Sequence, residues 1–246
     1  MYTLTIDIGN SSTKAEFWKD GDCKNRITYD NFLSENFLPL IKNFGAEAVV
    51  ISSVNSSASE QIKEFQHTAT CKVILFTDEE IRKFYDHSHY KTPIGPDRFA
   101  AYLGAESLYP EKSKMIVDIG TAMTIDVADD KGIYRGGNIS LGLYSRIKAL
   151  EKSTSLLPLV EDITTQAKFG NDTRSAIALG AKYGVIGEIL LSQKLLKQVF
   201  GGDLTILTGG DAPLVYESLK TDHNVIKDLH LVGRGLNYHY LTHYND

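Results

Sequence analysis

Two stretches of this chain are built to one plan and stand a fixed distance apart. An apolar run from Tyr2 to Ile6 leads into Asp7-Ile8-Gly9-Asn10-Ser11-Ser12-Thr13-Lys14. A second apolar run, closing on Val117, leads into Asp118-Ile119-Gly120-Thr121-Ala122-Met123-Thr124-Ile125-Asp126. Asp118 follows Asp7, Gly120 follows Gly9 and Gly132 follows Gly21, each by 111 positions. Strand, Asp-Ile-Gly, second strand and glycine turn therefore recur as one unit. A repeat of that length is a duplicated domain, not a solenoid, because solenoid repeats run to 20–50 residues. With 246 residues the chain has room for two domains of ordinary size, here expected at 1–112 and 113–246.

The first stretch has two readings. Gly9 lets the backbone turn and approach a bound group closely. Asn10, Ser11, Ser12 and Thr13 crowd hydrogen-bond donors into four positions, which suits phosphate oxygens, and Lys14 adds a positive charge. Asp7 would repel a phosphate, and it fits if a divalent cation lies between the two. Gly-Asn-Ser is equally the chemistry of a plain hairpin turn. The echo at 118–126 favours the ligand reading, since two such turns can grip a phosphate chain from both sides.

Composition bounds the answer. Hydrophobic residues make up 42% and charged residues 23%, enough for a soluble chain with a core. A net charge of −5 without a Lys/Arg-rich face argues against nucleic acid as the main partner. Asp7 interrupts the first apolar run, so no secretory signal is expected there, and no apolar run approaching ~20 residues suggests a membrane span. Cys23 and Cys71 form no Cys-x-x-Cys pair, and a reduced, cytoplasmic chain is expected.

In chain order, residues 2–8, 12–18 and 25–30 read as strands, with Asp20-Gly21 as a hairpin signal. A helix carrying Leu38, Ile41 and Phe44 stops at Gly45, with Pro39 tolerable only in its first turn. Residues 48–54 and 73–76 are buried strands, and Thr77-Asp78-Glu79-Glu80 reads as a capping box. A polar loop, 86–97, precedes a helix that ends before Pro110. The strand trio then repeats, ending at Gly136-Gly137-Asn138, with a helix carrying Leu143, Ile147 and Leu150 after it. Asn171 or Asp172 caps the longest helix, running to Phe200 with Ala176, Leu179, Tyr183, Ile186, Leu190 and Val199 on its buried side. Gly180, Gly184 and Gly187 imply close packing against another backbone there. Residues 204–207 form a strand, Thr208-Gly209-Gly210-Asp211-Ala212 a glycine turn, Pro213 starts a helix, and a short strand and a helix through Leu241 close the chain.

The chain lacks a Walker loop, a Rossmann glycine fingerprint and kinase catalytic-loop signatures. Nucleotide binding instead rests on three glycine turns after strands, at 7–9, 118–120 and 208–210, where open α/β sheets bind ligands. Together with the duplication they resemble the superfold of acetate and sugar kinases, Hsp70 and actin, in which two ribonuclease-H-like halves with mixed, helix-flanked sheets clamp ATP. Gly95-Pro96-Asp97-Arg98 narrows the match. With Asp-x-Gly-Asn-Ser-x-x-Lys at 7–14, Asp-x-Gly-Thr-Ala at 118–122, Gly136-Gly137, Asn171-Asp172-Thr173 and residues 208–212, the chain resembles type III pantothenate kinase over nearly its whole length. One departure is Leu141, before Gly142, where that family usually has proline.

The resemblance implies ATP-dependent phosphorylation of pantothenate, the first step towards coenzyme A. It implies that Asp7, Ile8, Gly9, Asn10, Ser11, Ser12, Thr13, Lys14 and Thr121 hold ATP, with Asp7 towards magnesium. Asp97 would be the catalytic base. Tyr90, Gly95, Pro96, Arg98 and Thr173 would bind pantothenate, and Asp118 would ligate a monovalent cation, potassium or ammonium. The partner would be a second copy of the chain in a homodimer. Read from the residues alone, Asp97 is equally a helix N-cap, Arg98 a surface ion pair, Tyr90 a loop aromatic and Thr173 a first-turn helix residue. Two rival functions share the fold: a kinase for another small hydroxyl substrate, and a non-catalytic ATP switch, which would need no base at Asp97. His87-Ser88-His89 and the pair His239 and His243 have no evident third metal ligand.

Overall fold

The computed structural model describes residues 2–86, 88–164, 167–202 and 204–245. The chain divides into two compact units, Met1–Pro110 with His230–Asp246, and Glu111–Leu229. The first unit gives way to the second between Pro110 and Glu111, where the sequence reading placed the boundary after 112. The last helix differs from expectation: it belongs to the first unit, not the second.

In the first unit, β1 (Tyr2–Ile8), β2 (Thr13–Lys19) and β3 (Asp22–Tyr29) form an antiparallel meander. Asp20 and Gly21 both take positive φ, 52° and 85°, as a tight two-residue hairpin turn requires. The chain then runs through α1 (Ser34–Phe44), β4 (Ala48–Ser53), α2 (Ser59–Thr68), β5 (Lys72–Leu75), α3 (Asp78–Phe84) and α4 (Pro96–Leu108). The sheet order is β3-β2-β1-β4-β5, with β1, β4 and β5 parallel. The second unit contains β6 (Lys114–Ile119), β7 (Ala122–Ala128), β8 (Tyr134–Leu141), α5 (Leu143–Ser153), α6 (Thr173–Phe200), β9 (Leu204–Thr208), α7 (Ala212–Leu219) and β10 (Val225–Lys227). Its order, β10-β9-β6-β7-β8, is the same topology read from the other edge. Both halves are ribonuclease-H-like, as the repeat predicted. The closing helix, α8 (Leu231–His243), returns to the first sheet.

Each sheet buries one face under its own apolar core. Leu4, Ile6, Ile8, Ala15 and Phe17 meet Phe37, Ile41 and Phe65 in the first unit. Met115, Val117 and Ile119 meet Ile147, Ile177, Val185 and Ile189 in the second. The opposite face of the first sheet is polar and equally buried. It carries Thr3, Thr5 and Asp7 on β1, Glu16 on β2 and Ser52 on β4. Helix α8 covers it through glycines. A Cβ on Gly233 would lie 1.8 Å from Glu16 Oε2 and 2.9 Å from Thr5 Oγ1. Glu16, 3% exposed, lies there beside Arg26 at 3.5 Å and His230 Nδ1 at 2.8 Å, under the first turn of α8, whose amide dipoles favour an anion. Helix α4 lies against α8 backbone to backbone. A Cβ on Gly104 would sit 2.2 Å from the Leu231 carbonyl oxygen, and one on Gly235 1.8 Å from that of Ala100.

Several local expectations need correction. Pro39 falls well inside α1, not in its first turn. Its position is exposed, so the carbonyl it leaves without a helical donor meets water. Thr77 accepts from Glu80 N–H as half of a capping box. The Glu80 carboxylate is engaged elsewhere, by His239 Nε2 at 3.2 Å and by the Tyr244 hydroxyl. Burial outweighs the Glu80 contact, which by itself would raise the His239 pKa, and lowers it to about 4. β8 does not end at Gly136-Gly137-Asn138 but continues to Leu141. Gly137 packs against the β7 backbone, where a Cβ would lie 1.7 Å from the Ile125 carbonyl oxygen.

Helix α6 is rotated relative to the expected face. Ile177, Ala178, Leu179, Ala181, Val185, Ile189 and Leu196 are buried, whereas Tyr183, Leu190 and Val199 are exposed. By length and composition it is also the one helix, among the described residues, apolar enough to cross a membrane, which the sequence reading did not expect; a third of its most apolar window is buried inside the protein. Nothing lies within 4 Å of a Cβ placed on Gly180 or Gly187, and on Gly184 the nearest group is Arg146 Nη1, at 2.9 Å. Among the described residues no backbone neighbour of the expected kind lies within 4 Å of these positions.

The α4–α8 contact can be tested directly. Gly235→Ala puts a methyl group into a carbonyl that cannot move without shifting a helix. We expect a loss of at least ~3 kcal/mol, a fall in melting temperature of roughly 10 °C, read by thermal unfolding. A variant that melts like wild type would show that α8 is not held at this distance.

Candidate active site

The 7–14 stretch is the tip of the β1–β2 hairpin, as the turn reading expects. Asp7 pairs with Lys14 and Ile8 with Thr13 across the ladder. The turn closes through Gly9 N–H to the Ser12 carbonyl at 3.0 Å. Asn10 and Ser11 are exposed, Gly9, Ser12 and Lys14 half-buried, and Ile8 and Thr13 buried, so Ile8 can offer a ligand only its backbone. Asn55, just past β4, braces the turn: its Nδ2 reaches the Gly9 carbonyl at 3.5 Å, and Val54 N–H donates to the Ile8 carbonyl at 3.1 Å. Sequence reasoning missed Asn55, although Asn-Ser after a buried strand is a turn signal.

Asp7 is nearly buried, and its Oδ1 has no hydrogen-bond partner. Lys14 Nζ stands 3.7 Å from Oδ2. Burial dominates over the nearby Lys14 and Arg26 charges and holds the Asp7 carboxyl above its ordinary pKa. An anionic oxygen buried without a partner is a group in want of a cation. The chemistry of the site thus fits a divalent ion bound through Asp7.

The second turn has the same build. Gly120 N–H donates to the Ala122 carbonyl at 3.0 Å. The Thr121 carbonyl accepts from Gly142 N–H at 3.0 Å and from the Ser145 hydroxyl at 2.6 Å, which leaves the Thr121 side chain exposed at the tip. Gly142 has no room for a side chain, since a Cβ would lie 1.7 Å from the Gly120 carbonyl oxygen. Leu141, the departure from the family pattern, completes β8 opposite Ala122, and its carbonyl accepts from Arg146 Nε at 2.8 Å. The third turn meets the second. Asp118 pairs in register with Thr208, Gly209 takes φ of 93°, and a Cβ there would lie 2.4 Å from Asp118 Oδ1. Asp211 N–H donates to the Ile119 carbonyl at 2.9 Å.

The Gly-Pro-Asp-Arg segment opens α4. Gly95 is the N-cap and Pro96 the first helical residue, so Asp97 is not the cap. Its Oδ1 accepts from Arg98 N–H at 2.8 Å. A Cβ on Gly95 would lie 2.7 Å from that oxygen, so a side chain there would push the Asp97 carboxylate aside. Arg98 is no surface ion pair: it is 8% exposed, with Nη1 3.3 Å from the Tyr90 hydroxyl and the guanidinium 5.7 Å from the Tyr90 ring. A cleft of about 700 Å³, lined by Arg82, Lys83, Phe84, Tyr85, Asp86, Ser88, Tyr90 and Lys91, lies beside Tyr90.

Thr173 is the exposed first residue of α6, after an Asp172 cap that bonds reciprocally with Ser175. The candidate residues thus fall into two groups. Asp7 to Lys14, Tyr90 and Gly95 to Arg98 lie in the first unit, and Asp118, Thr121 and Thr173 in the second.

The histidine motifs have other uses. His239 and His243 both bond the Tyr85 hydroxyl, at 3.0 and 3.1 Å. His87 lies outside the described residues. Glu16, Cys23 and His230 bring potential metal donors within 4.8 Å of one another, but Arg26 already offsets the Glu16 charge.

Comparison with known proteins shows the family. The family model for type III pantothenate kinase matches residues 3–192. The chain belongs to that family. A type III pantothenate kinase of Porphyromonas gingivalis is 31% identical, covering 94% of this chain and 96% of that protein. One from Bacteroides fragilis is 32% identical over 95% of each. Among solved structures, a Campylobacter jejuni protein assigned by name to the Baf family of transcriptional activators superposes with a TM-score of 0.65 at 23% identity, covering 99% of this chain and all of that one. The activator of 2-hydroxyisocaproyl-CoA dehydratase from Clostridium difficile, with bound ADPNP, superposes at 0.54 and 14% identity, covering all of this chain and 98% of that one. At these identities the structures speak for the fold alone.

Removing the charge at Asp7 should separate stability from function. Because burial outweighs Lys14 at this carboxylate, Asp7→Asn is expected to raise the melting temperature of the ligand-free protein, by roughly 2–4 °C if about 1 kcal/mol is recovered. The same change should cost activity. A thermal melt and a phosphorylation assay read the two effects, and a lower melting temperature would mean that the Lys14 pair outweighs desolvation.

Proposed function

We propose that this chain transfers the γ-phosphoryl group of ATP to the primary hydroxyl of pantothenate, the first step of coenzyme A biosynthesis, in the cytoplasm. The observation that carries this reading is Asp97 set beside a buried Arg98, at the start of a helix in the same unit as the Asp7–Lys14 turn. A switch protein has no use for that pair, and a kinase for a neutral alcohol has no use for the guanidinium.

Each residue has a physical task. The Gly9–Ser12 turn and the Thr121 turn offer backbone N–H and hydroxyl donors to phosphate oxygens. Lys14 faces the same phosphates from across the ladder. Magnesium, held towards Asp7, would screen the charge between carboxylate and triphosphate. A monovalent cation, potassium or ammonium, would do the same at Asp118. Arg98 pairs with the pantothenate carboxylate, oriented by the Tyr90 hydroxyl and ring. Gly95 and Pro96 fix the entry of α4 and hold Asp97 where its carboxylate can accept the proton of the substrate hydroxyl. A carboxylate suffices for that step, because phosphoryl transfer passes through a loose transition state in which the proton leaves late.

Formation of phosphopantothenate from ATP and pantothenate, with potassium or ammonium but not with sodium, is the first measurement. Asp97→Asn keeps the size and the hydrogen bond from Arg98 N–H. It should lower kcat by roughly 10²-fold or more while ATP still binds. Near-normal turnover in that variant would leave Asp97 a structural residue. Wild-type activity on other small alcohols but not on pantothenate would favour the rival kinase reading.

We further propose a closed two-fold homodimer built on α6. Its outer side exposes Tyr183, Leu190, Leu191, Leu195 and Val199 next to Gly180 and Gly187, an apolar strip on which a second backbone could lie closely. Thr173, at the start of the same helix, would then serve the pantothenate site of the neighbouring chain. Mixing the weak variants Asp97→Asn and Thr173→Ala should restore activity, towards roughly a quarter of wild type when half the dimers are mixed, because one site of each mixed dimer carries no lesion. No gain after verified chain exchange would assign Thr173 to its own chain.

A further inference from the structure

Asp7 has a neighbour in the same predicament. Ser52, on β4, is fully buried, and its hydroxyl oxygen has no hydrogen-bond partner among the described residues. β1 and β4 are parallel, and Asp7 stands opposite Ser52 in their register. Side chains opposite one another in a ladder share a face of the sheet. Two orphaned polar atoms, Asp7 Oδ1 and Ser52 Oγ, therefore lie side by side at the C-terminal ends of β1 and β4, where parallel strands present their ligand sites.

Among the described residues this face holds one other such atom, Glu16 Oε2, whose carboxylate already has Arg26 at 3.5 Å and His230 at 2.8 Å on its other oxygen. One step inward, Thr5 Oγ1 accepts from Trp18 Nε1 at 2.9 Å. One residue onward, on the opposite face, the Ser53 hydroxyl exchanges hydrogen bonds with the Asn55 backbone at 3.3 and 3.2 Å. An unsatisfied buried hydroxyl costs roughly 1–3 kcal/mol, and alanine would avoid that cost in the same space. A serine at position 52 is thus explained by a bond it makes in another state of the protein.

The geometry points to Ser52 as a positioning residue for the divalent cation at Asp7, its hydroxyl holding a water of the ion's hydration shell. This rests on the reading of Asp7 as the cation-facing carboxylate. Magnesium keeps several of its waters when a protein binds it through one or two carboxylates, and those waters need acceptors around the ion. Ser52 Oγ offers one acceptor beside the carboxylate, on a strand rather than a loop, so its position is fixed by the ladder. Residues that orient the shell around a metal typically change its affinity by 10–100-fold.

The test compares AMPPNP binding with and without Mn²⁺ by isothermal titration calorimetry, in wild type, Ser52→Ala and Ser52→Cys, the last filling the space of the lost hydroxyl. Wild type should bind AMPPNP more tightly with Mn²⁺. Both variants should lose roughly 10-fold or more of that metal-dependent gain and keep the metal-free affinity. In the ligand-free protein Ser52→Ala should melt no lower than wild type, because the hydroxyl it removes has no partner there. An unchanged metal gain in either variant that folds would overturn the role of Ser52 and leave the kinase reading intact. Equal loss of metal-free and metal-dependent binding, or a lowered melting temperature in both variants, would make Ser52 a structural residue and also overturn it. Absence of any metal gain in wild type would remove the cation from Asp7, and this inference with it, while phosphopantothenate formation would still report on the function.

Discussion

Much of the first unit's chemistry hangs on a contact between two helix backbones. Gly104 of α4 and Gly235 of α8 bring the two helices together with no side chain between them. Helix α8 in turn lies on the polar face of the first sheet because Gly233 leaves room for Glu16. Move α8 outward by one methyl group and α4 moves with it. The start of α4 carries Gly95, Pro96, Asp97 and Arg98, so the reach of Asp97 is set by glycines far away in the sequence. The buried Glu16 belongs to the same arrangement: its charge is tolerable because Arg26, His230 and the first turn of α8 surround it.

This explains why the last helix joins the first unit although it follows the second in sequence. Its partner face is already made, and a polar sheet face needs a cover that places donors and positive charge over it. The alternative, leaving Thr3, Thr5, Asp7 and Glu16 open to water, would give Asp7 an ordinary carboxylate environment. On this same face Asp7 is buried, and one of its oxygens is without a partner among the described residues. Scaffold and site are the same layer of side chains, and desolvation is the link between them.

The sequence made the local devices legible and hid the long-range ones. Asp-Ile-Gly at 111-residue spacing, Asp20-Gly21, Gly45 and the Asp172 cap each act through their own few residues, and each is found where its chemistry requires it. The return of α8, the burial of Arg98 and the continuation of β8 past Gly136-Gly137 depend on residues distant in the chain. No periodicity signals them. The face of α6 misled for a different reason: both sides of that helix are apolar, so spacing could not say which side meets the core. In the candidate site, Tyr90, Gly95, Asp97 and Arg98 were singled out together through family resemblance, whereas Asn55, Gly142 and Ser145, which brace the 9–12 and 120–122 turns, carried only ordinary turn signals.

Helix α6 shows how one element can satisfy two demands. A helix apolar all round belongs in a core, yet here the side bearing Leu190, Leu191, Leu195 and Val199 is exposed in the single chain. Helix propensity alone would disfavour Gly180, Gly184 and Gly187, which together forfeit roughly 3 kcal/mol relative to alanine. Of the three, Gly184 meets Arg146, whose guanidinium also bonds Glu188 at 2.8 Å. Among the described residues nothing lies within 4 Å of a Cβ placed on Gly180 or Gly187. A cost retained without an internal benefit, on an apolar face, is best offset by a partner backbone. The Asp172–Ser175 capping box then takes on a second meaning: it fixes the first turn of the helix and with it Thr173, at the end of the surface where a partner would dock.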